Sequence, residues 1–512
     1  MNILPKAAAS KQTFVQFLFH NRRNRNLLYW AGAAVIVQFV LYKYLYPFAN
    51  YIHDDSFDYL EAAYNNSTIV TYPIGYSKFL RLISVFSKPD LALVGLQYLM
   101  IQCSAFFFLF TLFYFYKAGR VTQAVLFCFS IFNPLFLHLS NMVSSDALFL
   151  ALSITWFTLL VWIIYKPSNK IVRWHAIVLF LTFTVRYNAL IYPFIALVVF
   201  ALSSLPLRKK GIGIGLAFFL IAWFVGLTMF QYKKLTGYWQ FSPFSGWLWA
   251  NNAMNAYREV DRANREPVPL QFRALDNKIR IFFDTHPDFG AVNASPVYMW
   301  TSRFPLMQYR DSLLKVDVST SKFKVWASMG PFYSSYGKYI IKKYPMHFLR
   351  YFIGANAWKY FAPPVEYLGN YNWGYPTVQE SAVKWFGYTN NQVKTRMKSS
   401  KVWILKYYPY FVSITNLMLF LMLFSFLLLN GWQYSPTFNK VILLIGTLWI
   451  TYAGFNILAA PAALRFLAFP TFLSATFSLL LIDWMALLIR HLKLQDHQQK
   501  QDNEFSQKAG VV

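Results

Sequence analysis

Apolar residues along this chain gather into long runs, separated by short polar breaks that are mostly basic. A helix needs about 20 largely apolar residues to cross a bilayer. By that measure the runs predict spans at 27–47, 90–116, 121–140, 146–165, 171–185, 188–206, 212–231, 405–430, 438–457 and 462–489. The fifth is short, and works only as one arm of a hairpin with the sixth, turning near Arg186, Tyr187 and Asn188. Two polar stretches interrupt the series, 48–89 and 232–404. The expected fold class is therefore an all-α polytopic membrane protein of about ten spans with a large α-rich insertion. Its expected parts are an N-terminus 1–26, a membrane module 27–231 with its loop 48–89, the insertion 232–404, membrane helices 405–489 and a tail 490–512.

Charge orients this arrangement. With the N-terminus in the cytoplasm, the loops on that side hold Lys117 and Arg120, then Lys166, Lys170 and Arg173, then Arg208, Lys209 and Lys210, then Lys440. The short turns opposite, 141–145, 187–188 and 459–461, hold no Lys or Arg. That bias follows the positive-inside rule and predicts cytoplasmic N- and C-termini, with both long polar stretches outside. The stretch 232–404 carries 23 Lys and Arg against 10 Asp and Glu, but long domains translocate regardless of charge. Its aromatic segment 339–361 reads as amphipathic helix lying on the membrane surface.

Composition narrows the partners. Of 512 residues, 57% are hydrophobic and 13% charged, against about 25% charged in soluble proteins, so membrane lipid is the expected solvent. A net charge of +28 without zinc-finger, basic-zipper or ribonucleoprotein patterns points to lipid headgroups rather than nucleic acid. The two cysteines, Cys103 and Cys128, fall in apolar runs and read as buried small hydrophobes. The first apolar run lacks a cleavage pattern and reads as a signal anchor.

Candidate chemistry begins just past the first run. Asp54, Asp55, Asp58 and Glu61 put four carboxylates within eight residues, in a chain with 20 acids in all. On a helix, Asp55, Asp58 and Tyr59 share one face. Adjacent aspartates cannot point the same way, so one of Asp54 and Asp55 faces a cavity while the other caps or supports. A capped loop start, a general base and a divalent-cation site all remain open for this cluster.

Several motifs then follow in order: Asp55-Ser56-x-x-Tyr59, Tyr72-Pro73-x-Gly75-Tyr76, Ser145-Asp146-x-Leu148, Thr184-x-Arg186-x-Asn188 and Leu464-Arg465-Phe466-x-x-x-Pro470. Together they resemble the polytopic GT-C glycosyltransferases, in particular the bacterial branch related to dolichyl-phosphate-mannose–protein mannosyltransferases and lipid A aminoarabinose transferases. The likeness covers 27–230 and 440–475, and no motif in 232–404 can be placed. It implies a bacterial inner-membrane enzyme that moves a sugar from a polyprenyl-phosphate donor to a lipid, glycan or protein acceptor. Asp55 matches the acceptor-activating position, with Asp54 able to exchange roles. Relatives often carry an acid just before the C-terminal Arg-aromatic pair, where this chain has Ala463 and Leu464.

Transfer from a lipid phosphate needs a base, cationic groups for the departing phosphate and a groove for the prenyl chain. The expected base is Asp55, and the expected phosphate contacts are Arg186, Arg465, Lys342 and Lys343. Asp58, Tyr59, Tyr72, Asp146 and Asn188 are expected to support them. Snorkelling explains Arg186 equally well, pairing with a buried acid explains Arg465, and Asp146 also suits a helix N-cap. Asp483, deep in the last run, is expected to be structural. Two other functions compete: a transporter or flippase of lipid-linked or anionic solutes, and a non-catalytic scaffold.

Overall fold

The computed structural model describes residues 12–287, 296–314, 321–434 and 436–509. Among them the architecture is helical, and the only extended pairings are isolated bridges such as Asn50–Met142. Eight helices among the described residues are long and apolar enough to cross a membrane: Arg22–Leu45, Asp90–Phe115, Arg120–Ser140, Ser145–Tyr165, Leu207–Thr236, Trp403–Leu428, Phe438–Ala459 and Leu464–Asp496. That is the pattern of a polytopic membrane protein. Two of the ten expected spans fall short. They form the helices Asn169–Val185 and Tyr192–Leu202, the second entered through a 3-10 turn at Tyr187–Ile191. Each buries one face against neighbouring helices and turns large apolar side chains outward, Trp174 and Leu181 on the first and Phe194 and Leu197 on the second.

Burial grades the spans from centre to rim. Within Ser145–Tyr165, 83% of the apolar window is buried, against 17% in Arg22–Leu45. Cys103 and Cys128 are exposed on the outside of the bundle, correcting the expectation of buried positions. Their helices are apolar all round, so sequence alone does not separate a core face from a lipid-facing one. Three alternate glycines differ in the same way: Gly213 abuts Val172 and Phe200, while nothing lies near a Cβ at Gly211 or Gly215.

One end of the bundle carries the basic loops. There Asp483 accepts from Gly119 N and Thr122 Oγ1, both at 2.9 Å, and so caps the helix that follows. Its role is structural.

The stretch 232–404 divides between two cores. Residues from Tyr232 to Ile340 form a cluster of their own, built on Pro243–Tyr257 crossing Lys322–Lys343. A Cβ at Gly246 would fall 1.9 Å from the Gly330 carbonyl, so only glycine permits that crossing. Residues from Tyr360 to Tyr408 instead join the main membrane core. The segment 339–361 is helical but interrupted by a π-turn at Phe348–Gly354, and it exposes Met346, Leu349 and Trp358.

Candidate active site

At the end away from the basic loops, four charged side chains from distant stretches converge. The loop 48–89 is tied down first: Asn50 N donates to Asn141 O at 2.7 Å and Val143 N to Asn50 O at 2.9 Å. This parallel bridge seats the helix Asp55–Tyr64 against the start of Ser145–Tyr165. The next helix, Gly75–Phe86, touches the turn before Arg186. A Cβ on Gly75 would lie 2.5 Å from Thr184 O, which explains glycine in the Tyr-Pro-x-Gly-Tyr motif.

Arg465 is positioned from the other half of the chain. Asn356 Nδ2 donates to Ile457 O at 2.9 Å and Ala460 O at 2.8 Å, while its Oδ1 accepts from Ala462 N at 2.7 Å. This grip fixes the turn leading into Leu464-Arg465. Pro470 lacks the N–H that would pair with the Phe466 carbonyl inside the helix. Tyr452 OH donates to that carbonyl instead, at 3.2 Å.

The charges alternate along a line. Arg186 Nη1 lies 2.6 Å from Asp146 Oδ1, Arg465 Nη1 lies 3.5 Å from Asp146 Oδ2, and Arg465 Nη2 lies 3.4 Å from Asp55 Oδ2. Asp146 has no exposed side-chain surface, so an unpaired charge there would be strongly destabilising; two guanidiniums flank it. Ser144 Oγ also donates to Asp146 Oδ2 at 2.8 Å. Ser144, not Asp146, occupies the N-cap position, so Asp146 serves charge pairing rather than capping. Ser145 links the arginine to the loop: Arg186 Nε donates to its Oγ at 3.0 Å, and Tyr59 OH lies 3.2 Å from the same atom.

Asp55 is the more accessible carboxylate, 20% exposed. Tyr72 OH donates to its Oδ1 at 2.6 Å. Burial pushes the Asp55 carboxyl above its ordinary range, opposed by the Arg465 guanidinium and the Tyr72 hydrogen bond. Asp58 is pushed up to about 6, again chiefly by burial, with a Thr71 hydrogen bond acting against it. The expected shared face of Asp55, Asp58 and Tyr59 is therefore present on Asp55–Tyr64.

Other expected residues stand apart. Asp54 is not an alternative to Asp55: its backbone is left-handed at φ 70°, its side chain is 78% exposed, and it makes no capping bond. The helix starts at Asp55, and the turn at Asp54 sends the two carboxylates different ways. Lys342 and Lys343 do not join the cluster. They end the helix Lys322–Lys343, where a helix C-terminus favours cations, and Lys343 pairs with Glu266. The Asn188 side chain makes no hydrogen bond among the described residues; it lies in the 3-10 turn beyond Arg186.

Glu366 and Tyr367 were missed by sequence reasoning. Arg465 lies over the Tyr367 ring at 5.2 Å. Burial raises the Glu366 carboxyl, with Arg465 and then Lys359 opposing it, so its charge is coupled to the cluster. Positions 463 and 464 offer no acid beside Arg465, and Glu366 brings one from a remote loop. Only its placement within a motif-free stretch hid it. Among the described residues, no group of three or more His, Cys, Asp or Glu forms a ligand set for a metal ion.

No protein family, curated protein or solved structure matches the chain.

Proposed function

We propose that this protein is a helical membrane glycosyltransferase of GT-C type, moving a sugar from a polyprenyl-phosphate donor to an acceptor hydroxyl at the outer face of the membrane. The observation that carries this reading is the meeting of Asp55, 20% exposed, with Arg465, 410 residues away, beside the Asp146–Arg186 pair. A carboxyl held above its ordinary range is a stronger base than a free one.

In this reading the acceptor oxygen attacks the anomeric carbon as its proton passes to Asp55. The bond from that carbon to the phosphate oxygen breaks, and the electron pair leaves with the phosphate. One base and one displacement invert the anomeric centre. Arg465 offsets the departing charge; its Nε is buried without a hydrogen-bond partner among the described residues. Arg186 serves chiefly to hold Asp146, leaving Arg465 as the principal phosphate contact.

The test is transfer from a panel of radiolabelled polyprenyl-phosphate sugars by purified protein in lipid, comparing the native chain with Asp55→Asn. Turnover that disappears in the variant while donor binding persists supports the assignment. Absence of donor binding by the native chain sinks it.

A further inference from the structure

A second surface adjoins the charged cluster, and it is aromatic. Tyr367, already under Arg465, meets Trp373 edge to face with ring centroids 5.0 Å apart. Trp373 lies 6.0 Å from both Tyr375 and His53, and Tyr375 lies 4.8 Å from His53. The rings form a wall running from Arg465 to the residue that precedes Asp54. Trp373 and Tyr375 nevertheless remain 43% and 50% exposed.

The backbone beneath this wall is held in an unfavourable form. Asn372 and Trp373 have φ of 46° and 52°, and Gly374 follows at 86°. A left-handed backbone is rare for a bulky side chain and persists only where neighbours enforce it. Here Asn372 N donates to Asn50 Oδ1 at 2.6 Å, while Asn372 Nδ2 donates to Tyr375 O and Thr377 O at 2.7 and 3.0 Å. Asn50 is the residue that anchors the loop leading to Asp55. One clamp therefore fixes both the carboxylate loop and the turn that displays Trp373. Hydrophobic burial does not account for that turn, since it leaves a large ring facing outward.

We propose that this wall is a sugar subsite, in which a pyranose ring stacks on the Trp373 face, Tyr375 stands at 74° to that face and bounds its side, and the sugar hydroxyls are directed to the exposed Asp54 carboxylate. A pyranose offers an apolar C–H face and a polar edge. Ring faces beside a solvated carboxylate match both. This deepens the glycosyl-transfer reading and rests on it for the role of the bound sugar. Asp54 thereby gains a use that its separation from Asp55 denies it in proton transfer.

The experiment is saturation-transfer NMR on the full chain in lipid nanodiscs. The probes are methyl glucoside, methyl mannoside and N-acetylglucosamine, with tetramethylammonium as a cation control. At least one sugar is expected to receive saturation on its ring-face protons. That signal should fall at least about fivefold in Trp373→Asn, the size expected for an aromatic contact, and persist in Trp373→Phe. Asparagine tolerates the left-handed backbone, so an unchanged melting temperature separates loss of the ring from loss of the fold. The proposal is overturned if no sugar is saturated, if Trp373→Asn binds sugar as the native chain does, or if only the cation binds. Sugar binding without transfer from any donor would abandon the transferase reading and leave the subsite standing. Transfer unaffected by Trp373→Asn, with no sugar signal lost, would abandon the subsite alone.

Discussion

The Tyr72 hydroxyl donates to Asp55 Oδ1 at 2.6 Å, and the same ring packs 5.9 Å from Phe244 and 6.3 Å from Trp300. Those two residues pack on the middle core, so that core reaches the carboxylate through one side chain. The hydrogen bond favours ionised Asp55 against the effect of burial. In Tyr72→Phe the ring packing stays and the donor goes. The acid limb of kcat/KM should then move up by about one pH unit, since a hydrogen bond to a charged group is worth about that much. A limb that stays in place would mean that Tyr72 does not tune the reacting group.

Gly75 offers a test that depends on packing alone. Gly75→Ala places a methyl 2.5 Å from the Thr184 carbonyl, and backbone there cannot swing aside as a side chain does. A loss of about 1–3 kcal/mol in stability is expected, with Arg186 shifted from Asp146. Gly211→Ala, where nothing lies within 4 Å, should be neutral or slightly stabilising. Thermal unfolding of the two variants in lipid checks the contrast.

The same contacts explain what the sequence made legible. Asp55, Tyr59, Tyr72, Asp146, Arg186 and Arg465 sit in short motifs at the ends of apolar runs, and topology alone sends those ends to one side. Asp54 was indistinguishable from Asp55 because the left-handed turn that separates them is set by tertiary contacts. Lys342 and Lys343 stand out in the sequence by local charge, which says nothing about which distant surface a helix end will meet. Glu366, Tyr367 and Trp373 reach the site through a clamp between Asn50 and Asn372, 322 residues apart, and no local pattern encodes such a contact. The two short spans, Asn169–Val185 and Tyr187–Leu202, differ from the expectation in length alone: the extended residue Arg186 and the 3-10 turn after it divide one apolar stretch into two short helices.

Asp58 gives a pH signature in stability. Its carboxyl is pushed up to about 6 in the folded chain, against about 3.9 when unfolded. Because the folded value is the higher one, the fold favours protonated Asp58. The associated stabilisation is fully present below about pH 4 and is lost as pH rises through about 6. Asp55 and Glu366 shift in the same direction, so only a comparison isolates this group. The melting temperature of the native chain should fall relative to Asp58→Asn between those limits. Parallel curves for the two proteins would show that Asp58 does not titrate there.

Asn356 tests whether Arg465 is held from outside its own helix. The residue is fully buried, and its amide nitrogen faces the carbonyls of Asn456, Ile457 and Ala460, while its oxygen takes the Ala462 N–H. Asn356→Ala removes these bonds and leaves buried backbone groups unsatisfied, a cost of about 1–3 kcal/mol. Asn356→Asp is nearly the same shape, yet it should be worse. It replaces the donor with an oxygen that faces three carbonyls, and it buries a charge unless it takes up a proton. The expected order of melting temperature is native, then Ala, then Asp. Cysteine crosslinking between positions 465 and 55, after both native cysteines are replaced, should weaken in the same order. If Asn356→Asp melts with the native chain, the turn before Arg465 is held by something else.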